Sequence, residues 1–167
     1  MNLIKALSAI VLSTVFATAA LADVVKVPTR RPVVTINVPD SWKPEETEKG
    51  YGIESPDNVA TVFFEIARSE KAMKSIIDDN IDWLVKEQEV NVKGNTLKNS
   101  DIAVGGIKSS LMSYDADSKE YGPAKVGFII TPLASTVLIT TFWISVKGFE
   151  KQEPVLNQIL ASVKPVQ

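Results

Sequence analysis

The side chains that carry most enzyme chemistry are missing from this sequence, because its 167 residues include no histidine and no cysteine. A Ser-His-Asp or Cys-His site, a thiol redox site and a zinc site of histidine or cysteine ligands are therefore excluded. Neither Ser-x-x-Lys nor Gly-x-Ser-x-Gly occurs, and there is no glycine-rich phosphate-binding loop. We expect a protein that is not an enzyme and that requires no cofactor.

Carboxylates remain as reactive groups, and several fall together in the segment SYDADSKEYG at 113–122. Asp115, Asp117 and Glu120 supply the kind of oxygen ligands that a weak calcium site would use. The segment lacks the central glycine and the final glutamate of an EF-hand loop, and its composition suits a polar hairpin turn. We favour the turn, and keep these residues as the metal candidates.

Glu65 is a candidate buried acid, because it lies between Phe64 and Ile66 in a strand-like run. Such a residue is more often exposed or paired at the rim of a sheet. A general acid would also need a second, suitably placed carboxylate. An enzyme that uses carboxylates alone is therefore the least favoured hypothesis.

Three aromatic residues lie in turns and are the candidates for contact with a ligand or partner: Trp42, Tyr51 and Tyr121. The other aromatic residues lie in strand-like or helical runs and are expected in the core. Trp42 follows the Pro39-Asp40 turn, where a large side chain can cover the end of a sheet. We predict that Trp42 is mostly buried and structural.

Runs of β-branched and alternating apolar residues predict strands at 33–38, 51–55, 60–67, 101–116, 124–134 and 135–147. Gly105-Gly106 is interpreted as a bulge or bend within the fourth run. The last run is apolar on both faces, which indicates a central strand covered on both sides.

Two helices are predicted. The first covers 69–90, with Ser69 as N-cap and ion pairs Lys74–Asp78 and Asp82–Lys86 on its outer face. Its buried stripe is predicted as Met73, Ile77, Ile81, Leu84 and Val85. The second is predicted to begin near Pro154, with an apolar stripe of Val155, Leu156, Ile159, Leu160 and Val163.

The order strands, helix, strands, helix indicates an α+β protein. Short connections among the later strands favour hairpins, and hence a mostly antiparallel central sheet. We predict one helix packed on each face of that sheet.

The first residues are typical of a secretory signal peptide, with Lys5, an apolar run at 7–16 and the cleavage pattern Ala20-Leu21-Ala22. We predict a cleaved segment at 1–22, an extended solvated arm at 23–32 and a single globular domain at 33–167. The protein would then be periplasmic or secreted, without a membrane anchor.

Three local patterns resemble those of the PsbP-like family: INVPDSW, SPDNVATVFFEIA and LNQILASVKP, near both ends and in the middle of the chain. The resemblance implies an α/β/α sandwich with an antiparallel central sheet. The family includes photosystem-associated subunits and exported bacterial proteins of unknown role, so the likeness implies a fold and transfers no active site.

A non-enzymatic binding or accessory domain is the leading expectation, with recognition through a sheet edge or end loops. The alternative is a small-molecule or lipid carrier, with an apolar pocket between sheet and helix that the 135–147 strand would line. A partner protein or a small apolar ligand is therefore expected. Nucleic acid is not, because 18 basic and 20 acidic residues leave a net charge of −2 and no basic stripe.

Overall fold

A computed structural model describes residues 22–166 of the chain. In chain order this part contains strands β1 to β11 and helices α1 and α2. Their bounds are β1 Ala22–Val27, β2 Val34–Pro39, β3 Glu45–Glu46, β4 Gly50–Glu54, β5 Ala60–Ala67, α1 Glu70–Lys86, β6 Val90–Val92, β7 Lys98–Val104, β8 Ile107–Ser118, β9 Gly122–Pro132, β10 Val137–Ser145, α2 Val146–Ala161 and β11 Lys164–Pro165.

The main sheet has eight strands in the order β3-β4-β5-β10-β9-β8, and β8 is long enough to pair with both β6 and β7 along its outer side. Every pairing is antiparallel. Strand β10 lies between β5 and β9, with Thr140 opposite Phe64 on one side and Ile129 on the other. The predicted central, antiparallel arrangement is confirmed.

Helix α1 covers one face of the main sheet, and α2 together with a small second sheet covers the other. The small sheet has the order β1-β2-β11 and contributes Val27, Val34 and Ile36 to the core. The predicted α+β fold with a helix on each face is therefore confirmed.

The solvated arm predicted for 23–32 is wrong for residues up to Val27. These residues form β1 along the whole of β2, and Val25 and Val27 are buried. The error arose because apolar alternation over so short a run is a weak strand signal. The segment forms a strand because it pairs with the open edge of β2. The exposed remainder, from Thr29 to Arg31, does lie in a bend.

Helix α1 has its predicted N-cap, since Ser69 Oγ accepts a hydrogen bond from the Ala72 N–H at 3.1 Å. Both predicted ion pairs are present as well. Its buried face is rotated from the predicted stripe: Ile76, Asn80 and Leu84 are buried. Ile81 and Val85 are instead 41% and 49% exposed. Asn80 lies on the buried face because its amide donates to Glu65 and Thr141 in the sheet.

Helix α2 begins at Val146, eight residues before Pro154, so the predicted start was wrong. Gly148 and Gln152 are buried in this first half. Proline is expected in the first turn because it lacks an N–H, but Pro154 here lies mid-helix on the exposed side. The predicted stripe is confirmed in the second half, although Val163 lies just beyond the helix.

Gly105 and Gly106 form the turn between β7 and β8, so the predicted single strand at 101–116 with a bulge or bend at these glycines was wrong. Both have positive φ, at 57° and 81°, the backbone of a two-residue hairpin turn of the primed type. The Gly105 N–H donates to the Leu160 carbonyl at 2.9 Å. This turn therefore holds the C-terminal end of α2 against the sheet.

The SPDN turn also holds α2, at its N-terminal half. Asp57 accepts hydrogen bonds from Gln152 Nε2 at 2.9 Å and 3.0 Å and pairs with Lys151 at 2.6 Å. The Lys151 ammonium lowers the pKa of Asp57 to about 2. Ser55 Oγ accepts the N–H groups of Val59 and Ala60, which closes the turn into β5.

The segment preceding Ala22 lies outside the described residues, so the predicted signal peptide remains a prediction. Cleavage before Asp23 would leave nearly all of β1 in place. Within 22–166, neither helix has the length and apolar character needed to cross a membrane.

Candidate functional site

A pocket of about 430 Å³ lies between α2 and the main sheet. Its floor consists of side chains from the central strands, chiefly Phe64, Ile129, Thr140 and Ile144. Helix α2 forms the opposite wall and β7 and β8 close one side. The remaining lining residues are Val62, Ile102, Ala103, Leu111, Phe142, Phe149, Glu153, Leu156, Asn157, Ile159 and Leu160.

Only three polar residues appear among the residues that line this pocket: Thr140, Glu153 and Asn157. Glu153 and Asn157 are exposed and one turn apart on α2, so they border the side open to solvent. Thr140 is 1% exposed and lies on the floor. The pocket is therefore apolar along its walls, with a buried threonine beneath its base and two polar residues at its mouth.

Thr140 and Thr141 are neighbours in β10 that face opposite sides of the sheet. Thr141 Oγ1 accepts a hydrogen bond from Asn80 Nδ2 at 2.8 Å beneath α1. Among residues 22–166, no group forms a hydrogen bond with the buried Thr140 Oγ1. Because a buried hydroxyl without a partner is destabilising, Thr140 costs the fold stability at this position.

Thr140→Val should raise the free energy of unfolding by about 1 kcal/mol, because it removes an unbonded buried hydroxyl at constant shape. Thr141→Val should lower it by about 1–2 kcal/mol, because the Asn80 bond is lost. Urea unfolding of both variants measures the two signs. An equal loss of unfolding free energy in both variants would mean that Thr140 is hydrogen-bonded within the folded protein.

Glu65 is buried beneath α1, so the preferred expectation of an exposed or rim position was wrong. Asn80 Nδ2 donates to Glu65 Oε2 at 2.6 Å, and Lys49 pairs with Asp79 beside this group. Burial raises the pKa of Glu65, while Asn80 and Lys49 act to lower it. The carboxylate is enclosed by packing and is not among the pocket residues, which suits a structural role.

Glu65→Gln should alter the pH dependence of stability. A raised pKa means that the folded protein binds the proton more tightly than the unfolded chain. Stability from this group is therefore present below about 4.5 and is lost as pH rises through the folded-state pKa. The unfolding free energy of the variant minus that of the wild type should rise across this window. Urea unfolding from about pH 4 to about pH 8 tests this, and a flat difference would contradict it.

The aromatic candidates from the turns lie apart from the pocket. Trp42 is 1% exposed and packs in the core, as predicted. Tyr51 lies in β4, so its predicted place in a turn was wrong; it is half-buried, and its hydroxyl accepts a hydrogen bond from Thr29 Oγ1 at 3.2 Å. Tyr121 is half-buried with its ring centroid 5.3 Å from that of Trp143. Burial, with the nearby Glu120 carboxylate, raises the pKa of Tyr121.

The metal candidates belong to the hairpin of β8 and β9. Asp115 pairs with Lys125 and Asp117 with Lys93, while Glu120 lies exposed in the turn. The Lys125 ammonium lowers the pKa of Asp115. Within the described residues, no group of three acidic side chains is arranged to hold a metal ion.

A second groove, of about 450 Å³, lies at the β3–β4 edge near the end of α1. Phe63 and Trp83 meet edge to face there, with ring centroids 4.8 Å apart. Glu45, Glu46 and Glu54 also line it, so its surface is much more polar than that of the pocket under α2.

The residues of the pocket were not identified from the sequence as a site. Only the 135–147 run was named, as the wall of a hypothetical carrier pocket, and β10 does line the pocket through Thr140, Phe142 and Ile144. One local signal was present: two adjacent threonines interrupt the most apolar strand of the chain. A polar residue on each face of a doubly covered strand requires a partner on each side.

Comparisons with solved structures place this fold among known ones. Cyanobacterial PsbP (CyanoP) from Synechocystis sp. PCC 6803 matches with a TM-score of 0.51 and 4% identity, over 89% of this chain and 96% of that one. LpqN of Mycobacterium tuberculosis, described as involved in cell envelope biogenesis, matches with a TM-score of 0.50 and 12% identity, over 87% and 92%.

A Bacteroides thetaiotaomicron protein matches with a TM-score of 0.53 and 12% identity, over 80% of this chain and 45% of that one. No protein-family model and no curated protein sequence matches the chain. The chain has a PsbP-like fold, and the resemblance from its three local patterns is confirmed at the level of the fold.

Proposed function

We propose that this chain is a non-enzymatic binding domain that carries a small, largely apolar molecule in the pocket under α2. The observation that carries the proposal is the pocket itself: about 430 Å³ between sheet and helix, apolar apart from its base and mouth. This volume lies within the range of pockets that hold small ligands. It is also the feature that separates a carrier from a domain with a filled core.

The energetics support a retained pocket. Larger side chains at the floor would bury more apolar surface and fill space, which normally stabilises a core. The chain instead places a threonine beneath the pocket, and among residues 22–166 its buried hydroxyl has no hydrogen-bond partner. A protein that keeps such a feature gives up stability, which is typical of a binding site.

The pocket lacks the chemical groups that catalysis would require. Glu153 is the one titratable residue among those that line it, so no acid–base pair faces the interior. Together with the absence of histidine and cysteine from the sequence, this supports binding without chemistry.

Recognition through the β3 edge, one of the binding modes expected from the sequence, has weaker support. The β3 edge is only Glu45–Glu46, and a very short, charged edge strand is a common way to prevent strand addition. The carrier hypothesis therefore takes first place. We further propose that the domain acts outside the cytoplasm after export, on the strength of the N-terminal sequence pattern.

Titration with the uncharged fluorescent probe N-phenyl-1-naphthylamine tests the proposed function. The wild type should bind with saturable fluorescence enhancement near one probe per chain. Thr140→Phe should abolish binding, because the added ring fills the floor, whereas Thr140→Val should retain it. Circular dichroism checks that each variant is folded.

Absence of saturable binding to the wild type would contradict the proposal. So would undiminished binding to folded Thr140→Phe, which would place the site elsewhere, for instance in the groove of Phe63 and Trp83. If Thr140→Phe does not fold, Leu111→Trp supplies the added bulk from a half-buried position in the pocket wall.

A further inference from the structure

We propose that the groove at the β3–β4 edge binds small quaternary ammonium compounds, with the rings of Phe63 and Trp83 as the contact for the cation. This groove is separate from the pocket under α2, because the two share no lining residue. Phe63 and Phe64 are neighbours in β5, so their side chains lie on opposite faces of the sheet. The second site therefore goes beyond the proposed function, and each of the two sites can fail without the other.

Phe63 and Trp83 form a corner of two ring faces in this groove. Their planes are 89° apart and their centroids 4.8 Å apart. Because the edge of one ring lies against the face of the other, the rest of that face stands at a right angle to the first ring. Both side chains are half-buried and line the groove, so a molecule within it reaches both rings. A cation close to an aromatic face is attracted by the ring, and this corner presents two such faces.

Gly52 gives the Phe63 ring the space that it occupies. It lies opposite Phe63 in the pairing of β4 with β5. A Cβ at this position would lie 2.9 Å from the Phe63 ring, so any other residue would force the ring to shift. The position of one wall of the corner therefore depends on a glycine in the neighbouring strand.

The charge of the groove favours a cation. Three carboxylates line it against one ammonium group, a net charge of −2: Glu45, Glu46, Glu54 and Lys43. Glu45 lies opposite Gly52 across β3 and β4, and Glu54 lies two residues beyond Gly52, so both lie on the sheet face of the ring corner. Among residues 22–166, none of the three carboxylates takes part in an ion pair. A cation in the corner would therefore be attracted by the rings and by the carboxylates together.

A quaternary ammonium head suits this corner better than a primary one. A primary ammonium group has three N–H donors, and the ring faces offer no oxygen or nitrogen acceptor in exchange for the water that it would lose. The methyl groups of a quaternary head have no such donors and pack against the rings as apolar surface. The positive charge of the head is still attracted by the ring faces.

An NMR titration with choline at neutral pH tests this site, with the indole N–H signal of Trp83 as the reporter. Choline should shift this signal in a saturable manner and bind at least about tenfold more tightly than 3,3-dimethylbutan-1-ol, which has the same shape without the charge. Ethanolamine, the primary counterpart of choline, should bind several-fold more weakly than choline. The indole signal of Trp42, which is buried in the core, should stay in place.

Variants of the rings and of the charges separate the two contributions. Phe63→Leu keeps apolar bulk but removes one ring face, and it should weaken choline binding several-fold, whereas Phe149→Leu changes a partly exposed ring outside the groove and should not. Glu54→Gln should weaken choline binding and leave that of the uncharged alcohol unchanged. Lys43→Gln should strengthen choline binding. Glu150→Gln removes an exposed carboxylate of α2 outside the groove and should have no effect.

Binding of choline to the wild type no tighter than that of 3,3-dimethylbutan-1-ol would overturn this proposal. Equal binding of ethanolamine and choline would overturn the choice of a quaternary head. An equal effect of a groove variant and its control would overturn the assignment of the site to the groove. Circular dichroism checks that each variant is folded, and if Phe63→Leu does not fold, the comparison of Glu54→Gln with Glu150→Gln decides. Binding of the uncharged probe under α2 is a separate measurement and tests the proposed function alone.

Discussion

Trp42→Ala should lower the free energy of unfolding by about 3–5 kcal/mol, the loss typical of a large aromatic side chain removed from a core. Trp42 is 1% exposed and ends a short 3₁₀ helix after β2, with its ring among core residues such as Ile36 and Ile53. No shift of a few neighbours refills a space of that size, so the cavity persists. Urea unfolding monitored by circular dichroism measures the loss.

Trp83→Ala provides the matched control, because Trp83 is only half-buried at the surface of α1. The loss of unfolding free energy in Trp83→Ala should be clearly smaller than in Trp42→Ala. A Trp42→Ala variant with wild-type stability but without ligand binding would reverse the assignment of Trp42 as structural.

Gly105→Ala should destabilise the protein by about 2–5 kcal/mol. A left-handed backbone costs an alanine about 1–2 kcal/mol, and here a Cβ would also lie 1.9 Å from the Val163 carbonyl oxygen. Relief of that overlap adds about 1–3 kcal/mol, and it strains the Gly105–Leu160 hydrogen bond that holds α2. Urea unfolding measures the effect.

The Gly106→Ala variant separates the cost of the left-handed backbone from the cost of the steric overlap. Its φ is also positive, at 81°, but no atom lies within 4 Å of the added Cβ. Only the backbone cost of about 1–2 kcal/mol should appear. Equal losses in the two variants would mean that the turn does not press against the end of α2.

Local patterns in the sequence predict most of the strands. In β5, alternation assigns Val62 and Phe64 to one face and Phe63 and Glu65 to the other, as found. Trp42 is predictable for the same reason, since a proline turn directly after a strand leaves its next large residue over the sheet end. These features depend on neighbours within a few residues.

The errors in the prediction arise where residues distant in the sequence determine how a helix packs. Helix α1 faces the sheet through Asn80, because Glu65 and Thr141 supply its hydrogen bonds from two separate strands. Because polar residues are by default assigned to the solvent-exposed face, the prediction left Asn80 out of the buried stripe. It wrongly included Ile81 and Val85 instead. In the first half of helix α2, Gln152 donates to Asp57, which lies far away in the sequence.

The pocket also depends on residues that are distant in the sequence. Thr140 is visible in the sequence as a polar residue in an apolar strand, but its missing partner is a property of the assembled layers. The same holds for Glu153, whose place at the mouth follows from the early start of α2.

Methyl NMR of isoleucine residues during titration with decan-1-ol tests the binding pocket most directly. We predict that the methyl signals of Ile102, Ile129, Ile144 and Ile159, which line the pocket, shift in a saturable manner. Those of Ile76 and Ile139, which pack on the α1 face, should stay in place. Saturable shifts confined to the α1 face, or no saturable shifts at all, would contradict the assignment of the pocket under α2 as the binding site.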